Sequence, residues 1–287
     1  MDENSNEKYS KYMEKLYKIY SWPEDPFSDE GRRRFEESLN VFKTLLKHEW
    51  LSSLVKGLSS VRIVDVCGGT GIGGIALGKV LRDELGLGVE LTIVDIRRDV
   101  LSKAKRFSKE VLGVEAKTLV HDVREDMGIK SYYDIALLWG LTTPHFSPWD
   151  LIKVYANIAK MLKDGSLLMY DEGDRVYSIF YILGYKDVVA ERVENGNVVL
   201  TVHKDREFRT GYMVRLAINL LTRDFVEMKI YFWDLAGSAA LAWIFFEDVD
   251  FIPKDRPYRG IVIAKNPRKY VNVDAYIKSK PKILLES

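Results

Sequence analysis

Between Val61 and Leu77 the chain reads VRIVDVCGGTGIGGIAL: an apolar β run that ends in a carboxylate, then glycines, then the start of a helical pattern. Glycines let a backbone turn tightly and approach a ligand where a Cβ would collide. A following helix presents unpaired N–H groups, so the segment suits a nucleotide-containing cofactor. Gly69, Gly71 and Gly74 spell G-x-G-x-x-G, the dinucleotide fingerprint, and Asp95 stands near the distance of its ribose-binding acid. Asp65 argues the other way. A dinucleotide leaves a pyrophosphate close to the glycines, where Asp65 would oppose it, whereas a phosphate-free cofactor with a cationic end gains from that carboxylate. S-adenosylmethionine, which carries a sulfonium and an ammonium, is such a cofactor.

Two further carboxylates stand in matching places. LTIVDI, Leu91 to Ile96, is a second apolar strand closed by Asp95, and an ionised Asp accepts only, which suits a pair of ribose hydroxyls. Ile96 is then placed to pack on an adenine. VHDV, Val120 to Val123, follows a third strand and supplies Asp122, an acceptor for an adenine amino group, with Val123 beside it. YDIALLWG, Tyr133 to Gly140, reads as a fourth strand, continuously apolar as buried parallel strands are, and ends at Trp139. MLKDGSLLMYDE, Met161 to Glu172, reads as a helix end, a turn and a fifth strand.

In VDVCGGTGIGG, IVDI, HDV, ALLWG and LKDGSLLMYDE, in that order and at that spacing, the chain resembles the class I S-adenosylmethionine-dependent methyltransferases. The resemblance covers roughly Val61 to Glu172. It implies a doubly wound, seven-stranded, mostly parallel sheet, and a cofactor site of Asp65, Cys67, Gly69, Gly71, Asp95, Ile96, Asp122, Val123 and Trp139. The family loop usually reads D-x-G-x-G-x-G; Cys67 takes the first glycine's place here, while Gly69 and Gly71 match. An NAD-dependent enzyme, and a non-catalytic protein that keeps the cofactor fold as a binding module or scaffold, remain the alternatives.

Methyl transfer is an in-line displacement at a carbon already activated by sulfonium, so a protein mainly aligns the partners and excludes water. A hydroxyl or protonated amine acceptor also needs a base, and the segment after strand four, WGLTTPHFSPWD, is where the family places acceptor chemistry. His145 lies there between Trp139 and Trp149, with an imidazole expected to titrate near neutral pH. Its bland alternative is a histidine bonded to a loop carbonyl. Asp171 and Glu172, at the end of strand five, either meet a cationic acceptor or cap the next helix. Arg32, Arg33 and Arg34 either face an anion or form a solvated helix face.

The elements that must hold these groups can be read from composition and periodicity. The chain has 287 residues, 47% hydrophobic and 30% charged, enough for one substantial core with accessory parts. Residues 1–58 read as a helical extension, with Tyr9, Tyr12, Met13, Leu16, Tyr17 and Tyr20 at helical spacing. A break at SWPEDPF comes next, and then a second helix capped near Asp29. Residues 59–265 form the cofactor-binding domain, and 266–287 a solvated tail. Within the domain KDVVAERVENGNVVLTVHKD is a hairpin turning at Asn195-Gly196, part of a β-rich insertion at about 186–222, and Val226–Leu235 with Tyr258–Pro267 are expected to close the main sheet.

Partners are bounded by features the sequence lacks. The longest apolar run, Ala236 to Phe246, is about eleven residues, too short to span a bilayer, and the polar start carries no secretory pattern, so a cytoplasmic location is expected. One cysteine excludes an internal disulfide or a cysteine zinc cluster, and no metal site is expected. A net charge of +1 gives a nucleic-acid substrate no support, leaving a small-molecule acceptor. The absence of Gln amid abundant Lys, Arg and Glu is a thermophile's composition.

Overall fold

The computed structural model describes residues 3–20, 22–194 and 197–285. Three helices come first: α1 (Glu3–Tyr20), α2 (Asp29–Leu45) and α3 (Glu49–Val55). The main domain then alternates β1 (Ser60–Val66), α4 (Ile72–Leu85), β2 (Gly88–Asp95), α5 (Arg98–Leu112), β3 (Lys117–Val120), β4 (Tyr133–Leu138), α6 (Pro148–Met161) and β5 (Leu162–Gly173). Four strands form a separate sheet: β6 (Val188–Glu194), β7 (Asn197–Arg206), β8 (Met213–Asn219) and β9 (Phe225–Ile230). The chain returns through α7 (Leu235–Phe245), β10 (Phe246–Arg256), β11 (Arg259–Pro267) and α8 (Val273–Lys278).

The seven-stranded sheet has the order β10-β11-β5-β4-β1-β2-β3, with β5, β4, β1, β2 and β3 parallel and the β10–β11 hairpin antiparallel against β5. Strand order reverses between β1 and β4, and the crevice beyond the strands' carboxyl ends at that point is where open α/β sheets bind ligands. Both faces are covered, which is why β4 is wholly buried and β1 is buried from Ile63 onward. One core sets Phe42, Ile75, Leu77 and Leu81 of α2 and α4 against Ile63, Ile93 and Leu137. The other sets Leu151, Tyr155 and Phe245 of α6 and α7 against Val64, Leu138 and Tyr170. No helix among the described residues is long and apolar enough to cross a membrane.

Three expectations change. Phe225–Ile230, inside the segment expected to close the main sheet, pairs instead with β8, and the strand that joins β11 is Phe246–Arg256. The accessory sheet therefore runs on to Ile230, past the expected limit near 222. α2 is capped by Ser28, whose hydroxyl accepts from the Gly31 N–H, and not by Asp29. The tail is not wholly solvated: α8 packs on α6, with Ile277 buried and Lys160 bonded to Asp274. The Asn195-Gly196 turn lies outside the described residues, although β6 and β7 pair antiparallel on either side of it.

The small sheet is attached to the main one through α1. Met13, Leu16 and Ile19 of this helix bury against Ala217, Val226 and Met228 of β8 and β9, while the Asn219 side chain donates to the Ile19 carbonyl at 3.3 Å. On its other side Ser10 donates to the Ile96 carbonyl at 3.0 Å, at the end of β2. Ile19→Ala, which empties a site only 2% exposed, is expected to cost about 2–5 kcal/mol of docking energy. Amide exchange should then quicken in α1, β8 and β9 but not in β1 and β4; a uniform rise would contradict this division.

Candidate active site

The glycine loop leaves β1 with unusual backbone geometry. Cys67 has φ 55°, the left-handed region that glycine fills without cost, which accounts for the glycine usual at this place. Gly71 caps α4 at φ 81°. A Cβ on Gly74 would lie 2.8 Å from the Asp65 side chain, so the loop can fold down onto that acid. Asp65 is fully buried there, its Oδ2 accepting from the Gly74 N–H at 2.8 Å and its Oδ1 lacking a partner. Burial, with Asp95 and Asp171 nearby, pushes its carboxyl up to about 7. Asp95, at the end of β2, accepts from the Gly69 N–H at 2.9 Å. The amides of the loop and of the first turn of α4 thus already meet two carboxylates.

Asp95 and Asp122 are 5% and 4% exposed. Each is matched by an arginine two residues on, and each arginine is covered by a tyrosine of α1. Arg97 donates to Asp95 and to Glu24, the latter at 2.8 Å, and its guanidinium lies 3.9 Å from the Tyr17 ring centre. Arg124 donates to both oxygens of Asp122, at 2.9 and 2.6 Å, and lies 4.3 Å from the Tyr9 ring. Burial alone would raise Asp122; the Arg124 guanidinium outweighs it and holds the carboxyl below the usual range. Thr70 donates to the Glu24 carbonyl, tying the segment after α1 to the glycine loop. Neither arginine is legible from sequence as a site residue, because its role rests on α1 folding over it.

Cys67, Asp95, Ile96, Asp122, Val123 and His145 line a pocket of about 50 Å³ beneath Tyr9, Met13 and Tyr17. That is room for a water or two, so a nucleoside requires α1 and its arginine contacts to shift. Beside it a cavity of about 700 Å³ opens between the carboxyl edge of the main sheet, α1 and the small sheet, sharing Tyr17 and His145 with the smaller one. His145 ends a short 3-10 turn, Thr143–His145. Its Nε2 lies 3.4 Å from the Tyr17 hydroxyl.

Other expected residues serve the framework. Trp139 faces neither cavity; its ring sits 4.5 Å from that of Phe42 and its Nε1 donates to Ser38 on α2, so it packs the core where a cofactor contact was expected. Trp149 donates to the Arg209 carbonyl, also away from both. Asp171 accepts from the Gly140 and Leu141 N–H groups and Glu172 from Gly173 and Ser238, so both brace the site and neither lines either cavity. Arg32 and Arg33 are exposed, whereas Arg34 turns inward to donate to the Pro23 carbonyl. His145 departs from expectation in its acidity: burial, reinforced by Arg175 and Arg97, pushes its imidazole down to about 4.

Residues 63–165 match the family model described as a methyltransferase domain. No curated protein sequence matches the chain. Among solved structures it is similar to the PH0226 protein of Pyrococcus horikoshii OT3, at 18% identity and TM-score 0.60, covering 88% of this chain and 98% of that one. It is similar to an S-adenosylmethionine-dependent methyltransferase of Clostridium acetobutylicum ATCC 824, at 12% identity and TM-score 0.56, with the same two coverages, 88% and 98%. The CcbJ methyltransferase of Streptomyces caelestis gives 11% identity and TM-score 0.55 over 79% of this chain and 88% of that one.

Asp65 yields a pH prediction. Its carboxyl rises from 3.8 to about 7 on folding, so between those values the folded state holds a proton that the unfolded state has lost, and stability falls as pH rises through that window. Asp65→Asn keeps an acceptor for Gly74 without the charge. Its melting temperature relative to the unaltered protein is expected to be higher at pH 8 than at pH 5, and a pH-independent difference would contradict a buried, raised Asp65. Residues 63–165 thus match a methyltransferase domain, set in a seven-stranded α/β sheet whose fold is shared with solved methyltransferase structures.

Proposed function

We propose that this protein transfers a methyl group from S-adenosylmethionine to a small-molecule acceptor bound in the larger cavity. The observation that carries the cofactor reading is the occupancy of the loop amides. Gly74 and Gly69 already donate to Asp65 and Asp95, so a pyrophosphate would find its donors taken and two carboxylates facing it. A cofactor with a cationic end and no phosphate fits that charge. Asp65, buried behind the loop with one unpartnered oxygen and its carboxyl pushed up to about 7, takes its charge most readily when a cation lies beside it. Asp95 would hold the ribose hydroxyls, Asp122 the adenine amino group, and Ile96, Val123 and Cys67 the apolar wall, with Gly69 and Gly71 shaping the turn.

When bound, the cofactor supplies a methyl carbon activated by sulfonium. The chain's own contribution is alignment: Tyr17, Tyr20 and Trp22 from the N-terminal segment, with the small sheet, line one side of the acceptor cavity and narrow its access to solvent. His145 stands where the two cavities meet. With its imidazole held down to about 4, it is neutral at pH 7, so one ring nitrogen carries a lone pair that can take a proton leaving a hydroxyl or amine once the Tyr17 hydroxyl beside Nε2 gives way.

Two substitutions separate these roles. Asp95→Ala removes the ribose acceptor and is expected to weaken S-adenosylhomocysteine by about 1.5–3 kcal/mol for each charged hydrogen bond lost; unchanged affinity in calorimetry would remove Asp95 from the site. His145→Ala is expected to lower turnover by about 10²-fold with cofactor affinity intact. Transfer of a labelled methyl group to metabolite and RNA fractions supplies the assay, and label entering RNA alone would refute a small acceptor. Unchanged turnover in the His145 variant would leave the enzyme working by alignment alone.

A further inference from the structure

The larger cavity holds a cation without a partner. Arg175, two residues beyond β5, has its backbone N–H bonded to the Trp233 carbonyl, but its Nε is enclosed and makes no hydrogen bond, and its guanidinium joins no ion pair among the described residues. The nearest carboxylates are committed elsewhere. Glu172 accepts from Gly173 and Ser238, and Asp171 from Gly140 and Leu141.

Of the other charged groups on the cavity wall, Arg215 and Glu191 have side-chain partners, whereas Lys186 and Arg259 are exposed cations that water can reach. Arg215 donates to Thr201, to the Tyr185 hydroxyl and to the Lys186 and Asp187 carbonyls, so its guanidinium is satisfied by the frame of the small sheet. Glu191 accepts from Thr201 at 2.6 Å. Arg259 lies at the exposed rim and repels Arg175, adding positive potential at the same end. An enclosed, unpaired guanidinium is costly, and its planar fork of donors matches the two oxygens of a carboxylate or the edge of a phosphate. Flat apolar surfaces stand around it: Tyr20, Tyr185, Phe232 and Tyr258 line the same space.

Resting on the acceptor reading above, we infer that the methyl acceptor is an organic anion with a flat, apolar body, its carboxylate or phosphate held by Arg175 and its nucleophilic atom toward His145. His145 and Arg175 line one cavity, which requires an acceptor with an anionic group and a reacting group at separate points. The carboxylate of the cofactor's own methionine shares this chemistry and is the competing source.

The test uses the full chain with S-adenosylhomocysteine. Calorimetry first measures that ligand alone on the unaltered protein, Arg175→Gln and Arg175→Lys; binding by the unaltered protein secures the cofactor reading independently. Ligand-observed NMR then compares, on the complex, aromatic acids such as indole-3-acetate, 4-hydroxybenzoate and phenyl phosphate with the neutral amides or alcohols of the same bodies. The expected result is an acid preference of about tenfold or more, the size of one charge-assisted bond. It should be lost in Arg175→Gln and partly kept in Arg175→Lys, with S-adenosylhomocysteine affinity within about twofold throughout. Loss of S-adenosylhomocysteine affinity in folded Arg175→Gln would assign the guanidinium to the cofactor and overturn the inference. So would the absence of an acid preference in the unaltered protein, or its persistence in Arg175→Gln.

Discussion

Two carboxylates buried at the edge of a sheet must be matched by cations, and the way Asp95 and Asp122 are matched organises the molecule. Each takes its cation from two residues downstream, Arg97 and Arg124, and each guanidinium leaves one face to be covered. Tyr17 and Tyr9, two turns apart on α1, cover them. The spacing of the tyrosines along the helix therefore answers the spacing of two adjacent strands. Because α1 is fixed on this side by aromatic and ionic contacts, its opposite face can hold the small sheet through Met13, Leu16 and Ile19. The larger cavity exists because that sheet is held there.

Charge is divided along this edge. The small pocket carries Asp95 and Asp122 with their paired Arg97 and Arg124, whereas the cavity beyond His145 carries the unpaired Arg175 and, toward its rim, Lys186 and Arg259. An anionic group is favoured toward Arg175, the enclosed guanidinium that no carboxylate pairs among the described residues. His145 lies at the boundary and feels the guanidinium side, which together with burial keeps its imidazole neutral. The carboxylates behind it, Asp171 and Glu172, are bonded to the framework: they hold the loop after β4 and the start of the return to the small sheet.

Elements whose interactions are local are the ones legible in the sequence. Parallel strands buried on both faces leave continuous apolar runs, so β1, β2 and β4 and the acids that end them can be read directly. The edge strand β10 cannot: Glu247, Asp248, Asp250, Lys254 and Asp255 with Pro253 keep an exposed edge from pairing further, and they look like a loop. The alternating VEMKI of β9 reads as a strand but does not declare its sheet. Trp139 can be placed at a strand end, but whether its ring turns to the cofactor edge or toward Phe42 depends on α2, far away in sequence. The Arg97 and Arg124 clamps and the unpartnered Arg175 belong to no motif, because each acquires meaning only from elements brought in by the tertiary fold.

We propose that the glycine loop and its acids form a site for a cationic, phosphate-free nucleoside cofactor. Calorimetric titration of the full chain with S-adenosylhomocysteine and, separately, with NAD tests it most directly. Saturable one-to-one binding of S-adenosylhomocysteine with no heat from NAD is the predicted result; saturable NAD binding with no response to S-adenosylhomocysteine would contradict it.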